Sequence, residues 1–180
     1  MNDVERIYQE LSSVREILAA RGAMSDQVAF NELSAKTIVL CAASYFEREI
    51  SQMLIAIARE TGSKDVFCNF IDKQALERKF HAMFSWEANN VNKFFSLFGP
   101  EVKEKLAALV GGDEALKGAI REFIFLNDQR NRLVHGNFAG VQAQVTFEEG
   151  FEKFKVALTF LNWLPDRLRD AAKSEGAPVG

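Results

Sequence analysis

Histidine and cysteine are scarce in this chain, with two of each among 180 residues. Cys41 and Cys68 form no Cys-x-x-Cys pair and have no histidine at ligand spacing, so a zinc cluster is excluded and both thiols are expected to be buried. No cofactor and no catalytic metal is expected. Excess positive charge is missing too: 22 Lys and Arg against 25 Asp and Glu leave a net charge of −3. Coating nucleic acid through counterion release needs a broad basic surface, so any nucleic-acid contact must be local. No window approaches the ~18 uncharged apolar residues that span a bilayer. The first residues, Met1-Asn2-Asp3-Val4-Glu5-Arg6, lack the basic and apolar regions of a signal peptide. The expectation is a soluble cytoplasmic protein with no membrane partner. Repeats, linkers and low-complexity tracts are absent as well, which predicts one domain over residues 1–173 and a flexible tail over 174–180.

What is present is helical periodicity, in a chain that is 48% hydrophobic. Ile7, Tyr8, Leu11, Val14, Ile17 and Leu18 recur at three- and four-residue steps until Gly22. A second helix is predicted from about Asp26 to Thr61, apolar on several sides around Ile38–Phe46 and therefore central. Asp72 is expected to cap a helix through Phe84, and a further segment, Asn90 to Phe98, ends at Gly99-Pro100, which launches Glu101 to Val110. Asp113 caps a long helix that ends near Gly136. Val141–Val145 alternates briefly like an extended segment, Thr146-x-x-Glu149 forms a capping box, and the last helix runs through Trp163. Pro165 is expected to begin another turn through about Ala172. The fold class is all-α: a bundle of five or six helices around the segments near 36–58 and 114–135.

The stretch Arg130-Asn131-Arg132-Leu133-Val134-His135-Gly136 carries the chemistry at the end of one of those central helices. Arginine presents a permanently charged planar fork suited to phosphate oxygens, and histidine takes and gives a proton near neutrality. RNA supplies its own nucleophile, the 2′-hydroxyl. An enzyme need only remove that proton, protonate the leaving 5′-oxygen and stabilise the phosphorane between them. His135 suits the proton transfer and Arg130 the developing charge, while the Asn131 amide can orient the phosphate or the imidazole. At ~100° per residue, positions 130 and 135 lie about 140° apart around an ideal helix. Either the last turn unwinds, or the site is shared across a two-fold dimer.

Arg130, Asn131 and His135 match the Arg-(four to six residues)-His signature of the HEPN superfamily (higher eukaryotes and prokaryotes nucleotide-binding), here as Arg-Asn-x-x-x-His-Gly. The tract Ala42-Ala43-Ser44-Tyr45-Phe46-Glu47-Arg48-Glu49-Ile50 resembles the first core helix of the RiboL-PSP type, and the resemblance extends from about Phe30 to Trp163. It implies a HEPN-like bundle around a four-helix core, frequent homodimers and, in many members, metal-independent endoribonuclease activity in toxin, phage-defence or RNA-processing systems. Partners implied are an RNA substrate, a second copy of the chain, and an antitoxin or other protein. Other members of the superfamily are inactive modules that bind a nucleotide or a partner.

Several conspicuous residues have plainer readings. Arg132 is expected to be a solvated cation complementing the helix dipole. His81, in Arg78-Lys79-Phe80-His81-Ala82-Met83-Phe84, reads as a partly buried packing residue outside the site. Glu47, a carboxylate in an apolar stretch, either pairs with neighbours such as Arg48 or points toward Arg130 as an auxiliary group that orients it. The sixteen phenylalanines are expected in the core rather than on a base-stacking surface, because no basic residues interleave them densely enough.

Overall fold

The computed structural model describes residues 1–174, among which there is no strand. Helix α1 (Asp3–Ala20) opens on Asn2, whose side chain accepts from the Glu5 N–H while Glu5 accepts from the Asn2 N–H. Gly22, at φ +66°, turns the chain through the left-handed region, where a side chain would be strained. Helix α2 (Met24–Glu60) follows. Its 37 residues span about 55 Å.

Between α2 and the next long helix the chain is broken into short pieces. These are α3 (Asp65–Ile71), a π turn (Asp72–Leu76), α4 (Glu77–Lys79), a 3-10 turn (Phe80–Met83), and α5 (Asn92–Ser96). Asp72 caps nothing. Its backbone is helical, with the N–H already bonded to carbonyls of Asn69 and Cys68, whereas an N-cap requires an extended residue in front of free N–H groups. The Asn90–Phe98 segment shrinks to α5 alone. Then come α6 (Pro100–Gly111), with Pro100 in its first turn, α7 (Glu114–His135), capped by Asp113 onto the Leu116 N–H, and α8 (Phe147–Ser174). Residues 141–145 form no strand, since nothing pairs with them as a ladder. The Thr146/Glu149 capping box closes in both directions at the head of α8.

Pro165 does not restart a helix. It sits inside α8, which continues through it. Proline lacks the N–H for the carbonyl one turn earlier, yet α8 is held to the core on both sides, by Phe160, Leu161 and Leu164 before the proline and by Leu168 and Ala171 around and after it. Of the tail expected over 174–180, Ser174 is the last residue of α8 and the rest lies outside the described residues.

The architecture is therefore all-α, as the periodicity predicts. Helices α2, α7 and α8 pack on one another and α1 lies along α2, giving a four-helix core. Its centre is aromatic: Phe46 of α2 meets Phe123 of α7 at 5.2 Å and Phe154 of α8 at 5.5 Å, and Phe123 meets Phe160 of α8 at 5.2 Å. Tyr8 stacks on Phe151 and fastens α1 to the start of α8. Phe84 and Phe94 stack at 4.7 Å and bring the 3-10 turn and α5 onto the same core. Phe67 and Phe70, on α3, and Phe138, after α7, depart from the buried pattern and are exposed.

Candidate active site

The last two turns of α7 carry Arg130, Asn131 and His135. The helix does not unwind: it runs to His135, and the Gly136 N–H bonds the Arg132 carbonyl at 3.0 Å. Leu133 is buried and fixes the rotation of the helix, which leaves His135 exposed and Arg130 and Asn131 half-buried. Arg130 Nη1 donates to Asn131 Oδ1 at 3.2 Å. No carboxylate among the described residues forms an ion pair with Arg130. Arg132 differs: it is exposed and bound to Asp128 at 2.8 Å, the solvated last-turn cation that its position suggests. A guanidinium half out of water with no counter-ion is costly unless an anion visits it.

The loop after His135 is fastened at two places. Lys36, only 4% exposed, reaches from α2 to the Phe138 carbonyl at 3.0 Å. The same ammonium pairs with Glu32 at 2.9 Å and lies 5.2 Å from the Phe138 ring centroid. Further on, the buried Gln129 exchanges two hydrogen bonds with Gln144, Nε2 to Oε1 at 2.9 Å and Gln144 N–H to Gln129 Oε1 at 3.0 Å. Gly136 is required by space: a β-carbon there would lie 2.7 Å from the Arg132 carbonyl oxygen and 2.8 Å from Val141 Cγ2. The backbone that follows His135 is thus held against α2 and α7.

His81, set aside in the sequence as a packing residue, stands in this neighbourhood. Its carbonyl accepts from Trp86 Nε1 at 3.0 Å, and the Trp86 ring lies between His81 and Phe123 of α7, at centroid distances of 5.9 and 6.1 Å. Both ring nitrogens of His81 are buried and lack a hydrogen bond, with Glu47 Oε2 just out of reach at 3.6 Å from Nε2. Burial pushes the His81 imidazole below its ordinary range. The Arg130 charge lowers it further, Glu47 opposes that, and His135 adds a smaller lowering effect. Arg130 stands seven residues, or about two helical turns, after Phe123 and so on the same side of α7 that Trp86 packs against.

Glu47 follows Phe46 on α2, so burying Phe46 against Phe123 turns Glu47 toward the 3-10 turn. It faces His81 and makes no ion pair with Arg130, while its neighbour Arg48 is taken up by Asp3 and Glu49. Lys36 and His81 are the contributors that sequence reasoning passed over. Lys36 left a signal, a lysine in an apolar helix centre one turn after Glu32. His81 left none, because its setting comes from tertiary packing. Among the described residues no group of three or more His, Cys, Asp or Glu side chains is placed to hold a metal ion. No helix among them is long and apolar enough to cross a membrane.

Comparison with curated proteins and with solved structures gave no match. The family model described as RiboL-PSP-HEPN matches residues 3–170, a span that contains α1 through most of α8 and every side chain of the cluster above. The chain belongs to the RiboL-PSP-HEPN family of helical domains, which are generally ribonucleases.

Proposed function

We propose that this protein is a metal-independent endoribonuclease that cuts RNA by attack of the 2′-hydroxyl on the adjacent phosphorus, with Arg130 and His135 as its central groups and Asn131 as their aide. The observation that carries the reading is the unpaired, half-buried guanidinium of Arg130 on the helix end that exposes His135. In the reaction the 2′-oxygen bonds to phosphorus and its proton passes to an imidazole, while the bond from phosphorus to the 5′-oxygen breaks and that oxygen receives a proton from a second donor. The products are a 2′,3′-cyclic phosphate and a 5′-hydroxyl end. Arg130 holds the non-bridging oxygens as their charge grows.

Because α7 remains helical through its last turn, the angular separation of Arg130 and His135 favours a site shared between two copies of the chain, in which one His135 takes the proton and the other gives one. Exposed apolar side chains beside the helix end support that arrangement: Val134 is 50% and Phe138 40% exposed.

The test is cleavage of a mixed-sequence single-stranded RNA in the presence of EDTA. Wild type should cut and leave cyclic phosphate ends. Arg130→Ala and His135→Ala should each lose about 10²–10⁴-fold in rate with helical content unchanged, and Arg132→Ala should lose far less. Wild-type rates in His135→Ala would overturn the catalytic assignment in favour of a silent binding module.

A further inference from the structure

We propose that His81 and Glu47 form a proton-linked pair that tunes the Arg130 site: a phosphate seated on the guanidinium draws a proton from solvent onto the His81 ring, which then closes on Glu47. The inference rests on the reading of Arg130 as the phosphate-binding group. It deepens that reading by adding a positioning residue whose charge state follows the occupancy of the site.

Three observations converge. First, His81 is left in a half-finished state. Its two ring nitrogens are buried and make no hydrogen bond, although a carboxylate oxygen stands 3.6 Å away. Buried polar atoms are nearly always satisfied in folded proteins, and an imidazole beside a carboxylate is satisfied most simply by becoming a cation, since N–H to carboxylate bonds are then charge-assisted. Second, what opposes that cation is identifiable. Among the described side chains, the groups that act on His81 are Glu47 from α2 and Arg130 and His135 from α7, and of these only Glu47 favours a proton on the ring. Third, among the described residues no carboxylate pairs with Arg130 to mute its charge, and its side chain bonds the neutral Asn131 amide. An anion bound there would remove the largest of the repulsive charges on His81 and add an attractive one. Glu47 would then be the partner at hand, 3.6 Å from Nε2.

The sign of the linkage follows. In the free protein His81 titrates below an ordinary histidine, and with phosphate bound it titrates higher. Between the two midpoints binding takes up a proton, so affinity rises as pH falls through that window. Above the window the ring is neutral in both states, and below it the ring is charged in both, so affinity stops depending on His81. Each unit by which the midpoint moves is worth roughly tenfold in affinity. His81 does not contact the reacting atoms in this account. Its charged form pulls the Glu47 carboxylate inward and adds a second positive centre behind the scissile phosphate.

The chain has two histidines, so imidazole NMR of histidine-labelled protein reads both directly, and His135→Gln assigns them. The probe is a single-stranded dodecamer of 2′-deoxynucleotides, which carries the phosphates and lacks the nucleophile. At saturation it should raise the His81 midpoint, Arg130→Gln should raise the midpoint of the free protein and abolish the response to the oligonucleotide, and Glu47→Gln should lower it. A His81 midpoint that the oligonucleotide leaves where it was overturns the inference, as does one that Arg130→Gln does not move. The measurement is made on folded wild type, so it does not depend on a His81 variant folding. Cleavage is read separately. RNA cutting with an unmoved His81 sinks this inference and spares the ribonuclease reading, and a moved His81 in a protein that never cuts does the reverse.

Discussion

Gly136 shows how little freedom the residues around His135 have. Its φ of −89° is open to any amino acid, so the need for glycine is one of room, set by the Arg132 carbonyl and the Val141 side chain. The valine can shift by a few tenths of an ångström, but the carbonyl belongs to the helix and cannot. Gly136→Ala should therefore cost about 1–3 kcal/mol in denaturant unfolding and push the chain after His135 away from the helix end, so that cleavage falls by more than the loss of folded protein explains. Unchanged midpoint and unchanged rate would show that the loop yields. At this scale the sequence was half legible. Arg130, Asn131 and His135 lie within six consecutive residues, so their nearness is read directly off the chain, as is Gly136 after them, while their proposed role leans on the family resemblance. His81 cannot. Its meaning arises only when the 3-10 turn is folded against α2 and Trp86 is wedged against Phe123, and no local pattern encodes either contact.

Elements were legible where a cap announces them. Asp113 and the Thr146/Glu149 pair begin α7 and α8 where their side chains say they should, because an N-cap acts on N–H groups within three residues and needs no knowledge of the fold. Two misreadings share one cause. Asp72 and Pro165 are both residues that favour helix starts, yet the chain is already helical on their N-terminal sides and packing overrides the local preference. This leads to a prediction for α8. Pro165→Ala restores an N–H to the interior of the helix, which is worth about 3 kcal/mol in an isolated helix, and gives back roughly 1 kcal/mol through a freer unfolded chain. A net gain near 2 kcal/mol should appear as a higher Tm. A lower Tm would mean that Leu161 and Leu168 reach the core only because the proline bends the helix between them.

For the whole molecule the question is how many chains make one site. If the helix end is shared, the protein should be a dimer in light scattering at micromolar concentration, with an interface above about 1,000 Å² that includes Val134 and Phe138. Val134→Asp places a charge on that surface without touching the core, since the side chain is half exposed, and should give a folded monomer that no longer cuts RNA. A monomeric wild type, or a monomeric variant that still cuts, would return the whole reaction to one chain. The packing around the 3-10 turn has one more consequence, an optical one. Only two indoles are present in the chain, Trp86 and Trp163, and Trp86 sits against the His81 ring with its N–H bound to the His81 carbonyl. Imidazolium quenches indole emission far more strongly than neutral imidazole does, so Trp86 emission should dim as His81 gains its proton, and if the proposed linkage holds, binding of the oligonucleotide should be readable without any label.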